Sequence, residues 1–163
     1  MTALDHVNAK IKTRDAIRTI AATARYFQKK VVFTNGVFDL MHLGHIDYLS
    51  KAKDCGKILI VGMNSDASVK LLNKGPQRPL QDQVSRASIL AALEFVDYVV
   101  VFDEETPYEL IQVVQPDVLV KGADYKVEDI AGHDIVLRRG GEVKLIELVE
   151  GYSTSSLEKK IKG

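Results

Sequence analysis

Two histidines, His42 and His45, stand three residues apart at the end of the run Thr34-Asn35-Gly36-Val37-Phe38-Asp39-Leu40-Met41-His42-Leu43-Gly44-His45. Where such a pair opens a helix, both rings project from one side of it. The first amides of a helix lack intrahelical partners and carry a partial positive charge, so anions bind there. Gly44, with no side chain between the rings, lets a bulky anion approach the backbone. Asn35-Gly36 makes a tight turn cheap, because both residues tolerate positive φ, and its amides can face a phosphate. Imidazoles, free amides and a helix terminus aimed at one point form an oxyanion site suited to in-line transfer between phosphates. An attacking phosphate oxygen meets the α-phosphorus of a nucleoside triphosphate, and charge moves onto the leaving oxygens. Positioned donors and Mg²⁺ offset that charge, and no protein nucleophile is needed. Zinc binding is the competing chemistry for two close histidines. The others, His6 and His133, lie at no ligand spacing, which argues against it.

Other residues have chemistry available, each with a plainer reading beside it. Ser153-Thr154-Ser155 precedes the last helical stretch. Its hydroxyls and amides suit a β- or γ-phosphate, or a simple N-cap. Lys74 and Arg78 flank Gly75-Pro76 in Asn73–Pro79, the one stretch dense in breakers. It reads as a mobile surface loop, able to close over an anionic substrate or merely solvated. Lys121-Gly122-Ala123-Asp124 ends an apolar run. Asp124 suits ribose or sugar hydroxyls or Mg²⁺, and Lys121 alone reads as a strand-end charge. Asp39 orients a ligand or a histidine, or caps its turn. Arg86 and Lys51 read by themselves as solvated charges, and the lone Cys55 as a small buried hydrophobe.

The elements that must position these residues are legible as apolar runs. Val31–Asn35, Ile58–Gly62, Tyr98–Phe102, Val118–Val120 and Val143–Ile146 read as strands. The first three are continuous and rich in β-branched residues, as in a parallel sheet covered on both faces. Helical spacing fills the intervals: Ile17, Ile20, Ala21, Ala24 and Phe27, then His45–Ala52, Asp82–Leu93 with Asp82 as N-cap, and Ser153–Ile161. Thr106-Pro107-Tyr108-Glu109 reads as a capping box, with Pro116 ending the helix that follows. Alternation of this kind implies right-handed crossovers. The expectation is one domain over 1–163, a helical segment at 1–30 preceding a core at 31–163.

Composition narrows the classes further. Lys plus Arg and Asp plus Glu number 22 each, so the basic stripe of a nucleic-acid binder is absent and no nucleic-acid partner is expected. One cysteine forms no internal disulfide. Met1–Lys12 has no apolar signal-like core, and no run approaches the length of a membrane span. A cytoplasmic residence without membrane contact is expected, and a homo-oligomer, dimer or tetramer, is plausible for a domain this small.

Thr34-Asn35-Gly36, Phe38-Asp39 and His42-x-Gly44-His45 resemble the nucleotidyltransferases that carry the H-x-G-H signature. The resemblance is closest to the bacterial D-glycero-β-D-manno-heptose 1-phosphate adenylyltransferases, and it extends from Val31 almost to the end. It takes in Gly62-Met63-Asn64-Ser65-Asp66, Lys74–Pro79, Arg86, Lys121-Gly122-Ala123-Asp124-Tyr125, Gly140-Gly141 and Glu150–Ser155. The Lys-Gly-x-Asp-Tyr and Gly-Tyr-Ser-Thr stretches are fairly specific to that family. Ala123 stands where the family usually has a second glycine. The resemblance implies an α/β fold, a Rossmann-like three-layer sandwich around a central parallel five-stranded sheet. It implies transfer of AMP from ATP to heptose 1-phosphate, giving ADP-heptose for surface glycans, in a form without the sugar kinase to which the domain is often fused. Catalytic roles would fall to His42, His45, Lys74 and Arg86. The nucleotide would meet Thr34, Asn35, Gly36, Phe38, Gly44, Lys121, Gly122, Asp124, Tyr152, Ser153, Thr154 and Ser155. The acceptor would meet Asp39, Asn64, Asp66 and Arg78. Mg²⁺ would be held mainly through the triphosphate, with no metal ligand from the protein. Glycerol-phosphate cytidylyltransferases, the nearest alternative, read Arg-Thr-Glu-Gly where this chain has Leu148-Val149-Glu150-Gly151, which speaks against CTP and an alcohol phosphate. A silent nucleotide-binding domain has no need of both histidines, and a dinucleotide-binding oxidoreductase would carry G-x-G-x-x-G in the first turn.

Overall fold

The computed structural model describes residues 1–163. Its strands are β1 (Val31–Gly36), β2 (Ile58–Asn64), β3 (Tyr98–Phe102), β4 (Val118–Gly122) and β5 (Glu142–Ile146), all parallel, in the order β3-β2-β1-β4-β5. The helices are α1 (Ala3–Asn8), α2 (Arg14–Tyr26), α3 (Leu43–Asp54), α4 (Asp66–Leu71), α5 (Gln83–Ala92), α6 (Tyr108–Val114), α7 (His133–Arg138) and α8 (Thr154–Lys162). The expected five-stranded three-layer α/β sandwich is what the chain forms.

Residues of β1 alternate between two apolar layers, as the pleat of a strand requires. Val31 and Phe33 pack with Ile17, Ala21 and Ala24 of α2 and with Leu110, Ile111 and Val114 of α6. Val32 faces the other layer, with Tyr48, Leu49 and Ala52 of α3 and Ala87, Leu90 and Ala91 of α5. The chain runs outward from β1 to β3, then returns across the sheet to β4 and β5. The crevice where this reversal occurs, between the carboxyl ends of β1 and β4, is where ligands bind in sheets of this kind. The N-terminal segment joins the β3 edge: Lys12 N–H donates to Val99 O at 2.8 Å and Val99 N–H to Lys10 O at 3.0 Å.

Several local expectations need correction. Phe27 lies past the end of α2 and is 63% exposed, so the buried stripe of that helix stops at Ala24. The capping box at Thr106 does not form: Pro107 occupies the cap position with no side-chain bond, and Glu109 turns toward Arg14 at 3.7 Å. The helix α6 ends at Val114 through a left-handed Gln115, one residue before Pro116. Cys55 is half-buried, not enclosed. The helices α1, α4 and α7 are six residues each, too short to display a repeating apolar stripe.

Candidate active site

The turn between β1 and α3 builds the site. Left-handed backbone occurs at Phe38 (φ 52°) and Leu40 (φ 53°), not at Asn35 or Gly36. Gly36 is needed for another reason: a Cβ there would lie 3.0 Å from the Phe38 ring, which folds back over the strand end. Strained backbone at non-glycine residues clusters at functional turns. It aims the chain so that His42 becomes the N-cap of α3.

The two imidazoles stack, with centroids 3.8 Å apart and planes 25° from parallel. The His42 N–H donates to His45 Nδ1 at 3.3 Å. Neutral His45 therefore carries its proton on Nε2 and donates from there. Burial, and the neighbouring His42, push the His45 pKa down to about 4. Burial also lowers that of His42. The pair is uncharged at neutral pH. Phe38 meets the His45 ring edge-on at 5.4 Å, and His42 Nδ1 is buried with no partner. Gly44 is required by the stack itself. A Cβ there would sit 2.9 Å from the His42 ring and 3.3 Å from Tyr152 Cβ, so the space expected for an anion holds side chains instead.

Asp39 is fully buried and accepts from Arg78 Nε at 2.9 Å, Leu80 N–H at 2.7 Å and Gln81 N–H at 3.0 Å. Gln81 in turn accepts the Leu40 N–H at 3.2 Å. The loop expected to be mobile is thus moored at Arg78–Gln81, leaving Lys74–Gln77 as its exposed tip. Asp39 and Arg78 spend hydrogen-bonding capacity on this mooring, although both still line the cavity.

The last helix closes the cleft. Ser153 caps α8 by accepting the Ser156 N–H at 3.0 Å, and Thr154 Oγ1 donates to Asp39 O at 2.6 Å. The N-cap reading of Ser153 therefore holds, while the amides of Thr154 and Ser155 stay free as first-turn donors. His42, Gly44, His45, Lys74, Arg78, Leu148, Tyr152, Ser153, Thr154 and Ser155 line one cavity of about 500 Å³, with Val37, Phe38, Asp39 and Val149.

A profile of the cytidylyltransferase-like family matches residues 33–158, which spans both histidines and the start of α8. The chain belongs to the cytidylyltransferase-like family. It is therefore a nucleotidyltransferase. It is 58% identical over 154 residues to the bifunctional protein HldE of Wolinella succinogenes, covering 94% of this chain and 31% of that one. With the bifunctional protein HldE of Nitratiruptor sp. it shares 53% identity over 152 residues, 93% of this chain and 32% of that one. The chain thus spans about a third of the length of these curated relatives. Among solved structures, a lipopolysaccharide core biosynthesis protein from Thermoplasma volcanium superposes with a TM-score of 0.62 at 29% identity, over 77% of this chain and 99% of that one. A pantoate-beta-alanine ligase from Francisella tularensis, at 0.60 and 16% identity over 93% and 76%, shares the fold.

Within this family member, four sequence candidates lie behind the cleft wall. Thr34 Oγ1 is buried, 2.7 Å from Tyr48 Oη and donating to Val120 O at 2.9 Å, so it ties β1 to α3 and β4. Asn64 is buried and donates to Ser68 Oγ at 2.9 Å. Arg86 is fully buried. It donates to Gln81 O, Val37 O and Asn64 O at 3.0, 2.8 and 2.7 Å, and to Asp66 Oδ1 at 2.7 Å. This clamp leaves Arg86 no free face for a triphosphate and occupies Asp66. Gln81, Ser68 and Tyr48, which complete these networks, belong to no recognisable motif.

By the cleft, Lys74 and Lys121 form no salt bridge to a carboxylate. Burial, and then Arg78, lower the pKa of Lys74. Burial lowers that of Lys121 to about 8, opposed by Asp124 and aided by Lys74. Its Nζ reaches Asn35 O at 3.4 Å and lies 5.0 Å from the Tyr125 ring centroid. No group of three His, Cys, Asp or Glu side chains is placed to hold a metal ion.

Proposed function

We propose that the protein transfers AMP from ATP to D-glycero-β-D-manno-heptose 1-phosphate, releasing pyrophosphate, as one nucleotidyltransferase domain. The observation that carries this reading is the stacked, neutral histidine pair facing the free amides of α8 across a single cleft. An oxygen of the acceptor phosphate attacks the α-phosphorus, forming the new P–O bond. The bond from the α-phosphorus to the bridging oxygen breaks, and pyrophosphate leaves with the electron pair. The attacking group is already a phosphate anion, so no base has to remove a proton. His45 Nε2–H and the His42 ring donate to oxygens on which charge accumulates. The α8 amides of Thr154 and Ser155 hold the departing phosphates.

Mg²⁺ would enter with the triphosphate and neutralise its charge. Asp39 and Glu158, two carboxylates near the cleft, are paired with Arg78. The choice of adenine and heptose rests on the Lys121–Tyr125 and Gly151–Ser155 stretches and on the absent arginine at Leu148. The similarity to a lipopolysaccharide core biosynthesis protein supports a product used for surface glycans. A cytoplasmic homo-oligomer fits this role, and no helix is long and apolar enough to cross a membrane.

Replacing either histidine tests the mechanism. His42→Ala and His45→Ala are each expected to lower turnover by at least about a hundredfold, as loss of an oxyanion donor does, with far-UV circular dichroism unchanged. Turnover within about threefold of the parent in both variants, well short of that loss, would overturn it.

A further inference from the structure

The reaction brings two polyanions together, and the cleft must supply positive charge for both. The histidines are neutral, Arg78 is held by Asp39 and Glu158, and Arg86 is held by three carbonyls and Asp66. The uncommitted cations are Lys74, in the cleft wall, and Lys121, at the carboxyl end of β4. The amides of α8 and the histidines already form one phosphate site. Lys121 stands apart from them, in the crevice between β1 and β4. It lies near enough to Lys74, which lines the cavity, for the two charges to act on each other. Beside it, Asn35 Oδ1 is buried with no hydrogen-bond partner. A buried, half-satisfied amine next to an unsatisfied acceptor is costly unless a ligand completes both.

We propose that Lys121, together with Lys74, holds the phosphate of the acceptor, while Asn35 Oδ1 accepts one of its hydroxyls. The proposal rests on the phosphate-acceptor reading above and moves Lys121 from the nucleotide to the acceptor. It makes Lys121 a specificity residue for acceptors that carry a phosphate monoester beside a hydroxyl.

Direct binding separates the two roles. Calorimetry would titrate heptose 1-phosphate, and separately a non-hydrolysable ATP analogue, into the parent protein, Lys121→Gln and Lys121→Arg. Loss of a charge-assisted hydrogen bond predicts acceptor affinity weaker by about ten- to a hundredfold in Lys121→Gln. Nucleotide affinity should stay within about twofold, since no such bond to the nucleotide is lost, and Lys121→Arg should recover part of the loss. In turnover the same variant should raise KM for the acceptor more than it lowers kcat. Weakened nucleotide binding with intact acceptor binding would overturn the proposal, as would a Lys121→Gln protein that binds both ligands like the parent. If Lys121→Gln fails to fold, Lys121→Arg carries the test, and acceptor affinity lost in it despite the retained charge would count against the proposal. A parent protein that binds the nucleotide analogue but neither heptose 1-phosphate nor glycerol 3-phosphate would instead overturn the acceptor reading itself.

Discussion

Arg86 offers the sharpest contrast between a residue that touches phosphate and one that holds the site's frame. Arg86→Ala removes a fully buried guanidinium and strips donors from Gln81 O, Val37 O and Asn64 O and from the Asp66 carboxylate. Each buried acceptor left unpaired costs about 1–3 kcal/mol. Water entering the vacated space recovers part of that, so a net loss of about 3–5 kcal/mol is expected. A domain of this size has about 5–15 kcal/mol to lose, and its melting temperature falls by about 2–4 °C per kcal/mol. Urea denaturation followed by circular dichroism should show the midpoint fall by a large fraction. Arg86→Lys should fall nearly as far, because one ammonium cannot reach four acceptors on three sides. A variant whose stability is within about 1 kcal/mol of the parent, less than one unpaired acceptor should cost, while nucleotide affinity collapses, would refute this reasoning. It would restore the catalytic role that the family resemblance implies for Arg86.

Two further predictions concern the histidine stack. Gly44→Ala places a methyl group 2.9 Å from the His42 ring, so the ring must leave the stack. Turnover should fall by about tenfold or more, as when a positioned donor is displaced, while the urea midpoint moves little; unchanged turnover would show that the stack is dispensable. The second concerns pH. His45 is pushed below its ordinary value to about 4, so between roughly pH 6.5 and 4 the unfolded chain binds the proton more readily than the folded one. Stability should therefore fall as pH drops through that window, by up to about 3 kcal/mol at its lower end, with His42 acting in the same direction. Midpoints measured from pH 8 to 4 check this. A His45→Gln variant that keeps the same acid slope would assign the loss to other groups.

The sheet was legible because its central strands are buried on both faces and read as continuous apolar runs, and the interrupted run at the β5 edge became a strand as well. The short helices were not, because six residues make too few turns to show a stripe. The residues that line the cleft from α3 and α8 could be read from H-x-G-H and from Ser153–Ser155, whose spacing reflects how a helix start presents donors. Residue types alone did not reveal which polar groups were already spent. The family resemblance gives Asp39, Asn64, Asp66, Arg78 and Arg86 functional roles, yet each bonds within the protein, Asn64 to Ser68 four residues on and the others to groups far along the chain. That information is tertiary: Asp39 and Arg78 are 39 residues apart, and nothing local to either announces the pair. The same limit hid Gly44's role, which depends on where the His42 and Tyr152 side chains settle.

Pyrophosphate release by the purified protein is the most direct measurement of the proposed reaction. With Mg²⁺ present, ATP and CTP would each be assayed alone, with heptose 1-phosphate, and with glycerol 3-phosphate. Release is expected only when ATP and heptose 1-phosphate are combined. Release that prefers CTP or glycerol 3-phosphate, or none from folded protein with any pairing, would contradict it.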